Sequence, residues 1–183
     1  MVEKHSCGNV GKLTRIAEVV TSPGFTDSYP RINPRAPFLV LGGFADFLLP
    51  SAFSNGHGAI TGLANIAPVS FFYTAPEQLL NITNGGQHAV VHLFKLSEAA
   101  KNDPPILHEA QHLQGIIARA DYTIAKASIA GTKYLQEKLY GYGGVPRKPL
   151  AAMDAEAGQA LLGHPHTQAL TILEKEIAAN SGV

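Results

Sequence analysis

Phe38-Leu39-Val40-Leu41-Gly42-Gly43 is an uninterrupted apolar run closed by two glycines. Such a run suits a strand covered on both faces, as in a parallel sheet, because no polar residue marks a solvent side. Downstream, a short helix is expected over about Asp46 to Ser54, stopped by Asn55-Gly56, and Gly58-Ala59-Ile60-Thr61-Gly62 reads as another short buried strand. Upstream, Val2 to Ser6 reads as a strand. Gly8-Asn9 then opens a helical pattern with apolar Leu13, Ile16, Val19 and Val20, and a proline-rich loop, Ser22 to Pro37, leads back to the apolar run. Strand, helix, strand, helix, strand is the rhythm of a βα-repeat, α/β fold.

From about Pro68 the pattern turns helical. Helices are expected over about Val69 to Leu80, Gln87 to Lys101, Pro105 to Lys126 and Ile129 to Tyr140. A loop, Gly141-Tyr142-Gly143-Gly144-Val145-Pro146, precedes a last helix near Pro165 to Ala179. Three parallel strands among so much helix leave two edges that need covering.

The 183 residues suffice for one domain with a real core. Fourteen basic and fourteen acidic residues cancel, so no long-range field favours nucleic acid or an anionic membrane. No apolar run approaches the roughly 18 residues of a membrane span. Met1-Val2-Glu3-Lys4-His5 leads into no apolar segment, so no signal peptide is expected. The single cysteine, Cys7, allows no intrachain disulfide and fits a reducing compartment, which makes a cytoplasmic location the expectation.

Lys4-His5-Ser6-Cys7-Gly8-Asn9 resembles the Schiff-base segment of the dihydrodipicolinate synthase and N-acetylneuraminate lyase family, the class I pyruvate aldolases. In that family a lysine ends a barrel strand, with Gly-Asn or Gly-Asp four and five residues later. Further motifs follow in the family's order: Leu41-Gly42-Gly43, then Gly56-His57-Gly58-Ala59-Ile60-Thr61-Gly62-Leu63-Ala64-Asn65, then the Tyr-Gly-Gly…Pro-Arg-x-Pro-Leu stretch within Gly141 to Leu150. Gly42-Gly43-Phe44-Ala45-Asp46-Phe47 looks most similar to fungal 4-hydroxy-2-oxoglutarate and 2-keto-3-deoxy-sugar-acid aldolases.

The resemblance implies part of an eight-stranded (β/α)8 TIM barrel. Residues 1–80 would supply strands six to eight with their helices, and residues 81–183 the C-terminal helices of the same domain. It also implies a lyase that joins pyruvate or another 2-oxo acid to an aldehyde, working as a homo-oligomer with no cofactor. Lys4 is the implied imine-forming residue, with Gly43 and Ile60 shaping the pyruvate pocket. The chemistry asks for such a lysine: its amine attacks the ketone of pyruvate, and the protonated imine then serves as an electron sink. That amine must be neutral to attack, so burial or a nearby cation has to lower its pKa.

The resemblance also implies absences. The family's relay tyrosine and carboxylate-gripping threonine loop belong to the first half of the barrel, whereas Tyr29, Tyr73, Tyr122, Tyr134, Tyr140 and Tyr142 all follow Lys4. A catalytically incomplete chain that depends on a partner is therefore the alternative reading. Asn81-Ile82-Thr83-Asn84-Gly85-Gly86-Gln87 looks like an insertion into the family pattern.

One rival constellation is His108-Glu109-Ala110-Gln111-His112, which satisfies H-E-x-x-H, where two histidines one turn apart share a zinc and the glutamate activates its water. The third ligand position of the longer motif holds Ala118. Leu107, Ala110, Leu113 and Ile117 form an apolar stripe, so the histidines are expected to face solvent, and a zinc hydrolase is a distant alternative. His88 and His92 share helical spacing but no carboxylate ligand is evident, and His164 and His166 are expected in a loop. Gly85-Gly86 and Gly143-Gly144 lack the Gly-Lys-Ser/Thr ending of a phosphate loop.

Overall fold

A computed structural model describes residues 2–33, 35–67 and 89–180. The helix expected at Val69 to Leu80, the insertion Asn81 to Gln87, Gly85-Gly86 and His88 lie outside the described residues.

The first strand, β1 (Val2–His5), pairs in parallel with β2 (Leu39–Gly42), in the register Val2 with Leu39, Lys4 with Leu41 and His5 with Gly42. The expected third strand shrinks to a single parallel bridge between Gly42 and Ala59. Its hydrogen bonds are nevertheless strand-like: Gly42 N–H donates to the Gly58 carbonyl and Ile60 N–H to the Gly42 carbonyl, both at 2.8 Å. Gly58, at φ +132°, departs from extended geometry and cuts the pairing short. The His57 ring is recruited instead, its Nδ1 accepting from the Val40 N–H at 3.1 Å. Among the described residues, β1 has no neighbour on its other side.

Gly8-Asn9 has a plain local cause. Gly8 takes the left-handed conformation at φ +67°, and Asn9 caps α1 (Val10–Thr21) by accepting from the Lys12 N–H at 2.8 Å. The α1 helix buries Leu13 and Ala17, and Leu13 packs with Val40 and Phe47 in a small core. Ile16 and Val20 border that core, but Val19 is exposed, so the expected apolar face is narrower. Within the proline-rich loop the chain makes one helical turn, α2 (Phe25–Ser28). After β2, α3 (Leu48–Phe53) is shorter than the Asp46 to Ser54 expected.

The larger core lies under the helices. It joins α3, the 3-10 turn Gly62–Asn65, α4 (Ala89–Ala99), α5 (Pro104–Lys126), α6 (Ser128–Tyr140), α7 (Ala155–Leu162) and α8 (Pro165–Asn180). Leu63, Leu93, Ile117, Leu135 and Leu170 are fully buried there, each contributing about 1.5–3 kcal/mol by leaving water. The Glu174 carboxylate of α8 accepts from the Ala89 N–H at 2.8 Å, satisfying one of the free donors that opens α4. Tyr140 ends α6 with its hydroxyl donating to the Ile66 carbonyl, and burial, with the charges of Glu174 and Tyr142 adding, pushes that hydroxyl up to about 12.

The α7 helix was not expected. Asp154 caps it by accepting from the Ala157 N–H at 3.0 Å. Gly158, which weakens the helical signal, is there because a Cβ would sit 2.6 Å from the Tyr134 ring. His166 also differs from expectation, lying in the first turn of α8 rather than in a loop.

Candidate active site

The parallel register carries the candidate site residues to one end of the sheet. Lys4 is paired with Leu41, and Ile60 donates to the Gly42 carbonyl beside Gly43. Strand alternation puts Lys4, Leu41, Gly43 and Ile60 on a common face at the C-terminal end of the strands. Lys4 itself is exposed on β1, an edge strand among the described residues, and Ile60 is 45% exposed.

Gly43 also lines a cavity of about 400 Å³ between the strand ends and the α5–α6 junction. Its walls include Phe44, Gly62, Asn65, Asp121, Ser128, Thr132, Lys133 and Gln136. Lys4 and Ile60 are not among the residues that line it. Ser128 takes a left-handed conformation, φ +56°, where α5 gives way to α6.

Behind this cavity α5 grips the loop that follows β2. Asp121 Oδ2 accepts from the Ala45 N–H at 2.7 Å and the Asp46 N–H at 3.1 Å. Gln114, two turns earlier, donates from Nε2 to the Ala45 carbonyl at 2.9 Å and accepts at Oε1 from the Leu49 N–H at 2.7 Å. Both side chains are buried. Burial pushes Asp121 up to about 6 against the lowering pull of the Ala45 N–H, with the Asp46 charge adding to the rise. Burial likewise raises Asp46. Gln114 and Asp121 were missed in the sequence although a signal existed, since both fall within the apolar stripe of Ala110, Leu113, Ile117, Ala120 and Ile124.

The histidine motif sits elsewhere. Ala110, Leu113 and Ile117 face inward while His108 and His112 are exposed, as the stripe requires. His92, Glu109, His112 and Glu176 line a second groove between α4, α5 and α8, with His92 Nε2 3.8 Å from Glu109 Oε1. Among the described residues, no three or more His, Cys, Asp or Glu side chains are grouped so as to hold a metal ion. Gly143 and Gly144, at φ +109° and +76°, pack back on α6, where the Gly144 N–H donates to the Lys133 carbonyl at 3.2 Å. Among the described residues, no helix is long and apolar enough to cross a membrane.

The chain is 33% identical over 167 residues to an L-threo-3-deoxy-hexylosonate aldolase of Aspergillus niger, an alignment covering 86% of this chain and 43% of the relative. A protein of the same name from Hypocrea jecorina is 32% identical over 151 residues, 82% of this chain and 38% of the relative. The chain is related to these fungal aldolases. An Emericella nidulans protein named as a mitochondrial 4-hydroxy-2-oxoglutarate aldolase is likewise 33% identical over 158 residues, 86% of this chain and 39% of the relative. A crystal structure described as that of a dihydrodipicolinate synthase family protein from Coccidioides immitis shares the fold, with a TM-score of 0.55 and 24% identity over 100% of this chain and 47% of that one. No protein-family model matches the chain. This aldolase relative spans about two-fifths of the length of the curated proteins it matches.

Proposed function

We propose that residues 1–183 form the C-terminal part of a pyruvate-dependent class I aldolase. In this reading β1, β2 and the 57–60 segment are strands six to eight of a (β/α)8 barrel, and the later helices pack outside it. The observation that carries it is the register of the sheet, which puts Lys4, Gly43 and Ile60 at the same end of adjacent strands. Catalytic residues of such barrels lie at that end.

Lys4 Nζ would attack the ketone carbon of pyruvate, and loss of water would leave an imine. Protonation makes that imine an electron sink for making or breaking the bond to an aldehyde carbon. The Ile60 carbonyl and Gly43 would bound the pyruvate. The exposure of Lys4, and the outer edge of β1 that no described residue pairs with, favour a division of labour: the wall that desolvates the amine, and the proton relay, come from polypeptide outside the described residues or from a partner subunit.

Borohydride reduction in the presence of pyruvate, read by intact mass beside a Lys4→Ala control, tests the assignment. An adduct on the parent and none on the control is the expected result. No adduct in folded protein would end the claim that this stretch activates Lys4 unaided and leave the partner-dependent form. An equal adduct on the control would remove Lys4 from the chemistry.

A further inference from the structure

The His57 ring occupies a backbone place in the sheet. In step with the bridge between Gly42 and Ala59, a regular parallel ladder would set Val40 opposite His57. The Val40 N–H would then donate to the Gly56 carbonyl, and the Val40 carbonyl would accept from the Gly58 N–H. Instead the His57 N–H reaches the Val40 carbonyl at 2.8 Å, one residue early. Gly58, at φ +132°, absorbs the slip. The slip takes the ladder carbonyl away from the Val40 N–H, and Val40 is fully buried, so that donor needs another acceptor. His57 Nδ1 supplies it at 3.1 Å. An acceptor at Nδ1 assigns the proton of the neutral ring to Nε2.

The consequence reaches the other end of the segment. Gly58 joins His57 to Ala59, and a glycine there leaves the backbone free to turn. Beyond it, the Gly42 N–H holds the Gly58 carbonyl and the Ile60 N–H holds the Gly42 carbonyl. Ile60 is 45% exposed, so packing of its side chain does little to fix it. His57 grips Val40 through both its backbone N–H and its ring. The segment therefore enters Gly58 at a fixed height along β2, and the height of the Ile60 carbonyl beside Gly43 follows.

Resting on the aldolase reading, we infer that His57 is a positioning residue for the pyruvate pocket: its Nδ1, by replacing the missing ladder carbonyl, sets where the Ile60 carbonyl lies against the substrate. It acts through Ile60 and takes no part in the chemistry at Lys4. Two substitutions separate the acceptor from the ring. In His57→Asn, Oδ1 stands two bonds from Cβ, as Nδ1 does, and can accept from the Val40 N–H. His57→Leu fills similar space with no acceptor.

In isotope-labelled parent protein at neutral pH, an NMR scalar coupling across the hydrogen bond should connect the Val40 amide nitrogen with His57 Nδ1. Amide exchange at Ile60 should quicken about tenfold in His57→Leu, the effect of losing one hydrogen bond, and stay within about twofold of the parent in His57→Asn. Borohydride trapping over a range of pyruvate concentrations should follow the same order. His57→Leu should need about tenfold more pyruvate for half-maximal adduct with an unchanged maximum, and His57→Asn should match the parent. No coupling, an Ile60 amide as protected in His57→Leu as in the parent, asparagine failing as leucine does, or a pyruvate requirement that ignores the loosened Ile60 would each overturn the inference. The coupling is read on the parent, so a misfolded leucine variant leaves the test standing. A parent that forms no adduct fails the unaided activity of Lys4. The coupling and the exchange rates, which need no pyruvate, then decide the His57 assignment by themselves.

Discussion

Asp121 Oδ2 lies 2.7 Å from the Ala45 nitrogen, across 76 residues of chain. With Gln114 bonded to the Ala45 carbonyl, both backbone groups of Ala45 are satisfied by one helix. The loop that carries Gly43 is therefore placed by α5 as much as by its own strand.

The burial of that carboxylate makes stability depend on pH in an unusual direction. Burial raises the folded Asp121 from 3.8 to about 6, so between those values the folded chain binds more protons than the unfolded one. Its contribution is fully present below about pH 4 and is lost as pH rises through about 6, by about 3 kcal/mol at most. Asp46, also raised by burial, acts with the same sign. Urea unfolding of the parent and Asp121→Asn at pH 4, 5, 6 and 7 should show the parent losing stability relative to the variant as pH rises. A difference that stays flat, or grows with pH, would refute the assigned shift.

Gln114→Leu keeps the volume but leaves the Leu49 N–H without its partner, while the Ala45 carbonyl keeps only the longer bond from the Leu48 N–H at 3.3 Å. One orphaned buried group costs about 1–3 kcal/mol, so a loss of about 1–3 kcal/mol is expected in urea unfolding. A change below about 0.5 kcal/mol would mean that water or another donor replaces the amide.

Two glycine-to-alanine substitutions should differ in sign. At Gly56 a Cβ would sit 2.7 Å from the Ser51 carbonyl oxygen, backbone that cannot step aside, and a loss of about 1–3 kcal/mol is expected. At Gly115, within α5, a Cβ meets nothing closer than the Arg119 guanidinium at 3.5 Å, and a gain of about 0.5–1 kcal/mol is expected. Thermal unfolding of both variants checks this, and equal signs would contradict the packing described.

How much of this was legible in the sequence varies by element. The apolar run at Phe38 to Leu41 announced a strand buried on both faces, and Val40 and Leu41 are indeed both buried. The Gly58 to Gly62 segment has the composition of a strand, but backbone geometry at Gly58, which composition does not encode, reduces it to a bridge. The α7 helix was hidden by Gly158, a residue chosen for its tertiary neighbour Tyr134. Lys4, Gly43 and Ile60 could be named from a motif, but not how far Lys4 stands from solvent cover, because that depends on what pairs with the other edge of β1. Asp121 and Gln114 needed only the question of why two polar residues share a buried stripe.

The histidines of α5 give the last prediction. H-E-x-x-H chelates zinc when both imidazoles point into a cavity with a third ligand. Here α5 turns Ala110, Leu113 and Ile117 to the core and leaves His108 and His112 outside. His92 and Glu109 approach to 3.8 Å beside His112, close enough for a weak ion pair, but among the described residues no three or more His, Cys, Asp or Glu side chains are grouped to hold a metal. The substitutions His108→Ala and His112→Ala should each change stability by less than about 0.5 kcal/mol, as exposed positions do. Equilibrium dialysis against zinc should show no stoichiometric binding that either variant removes, and a chelator should leave the melting temperature unmoved. One tightly held zinc per chain, lost in His112→Ala, would show that the groove closes around a metal and would revive hydrolysis as a function.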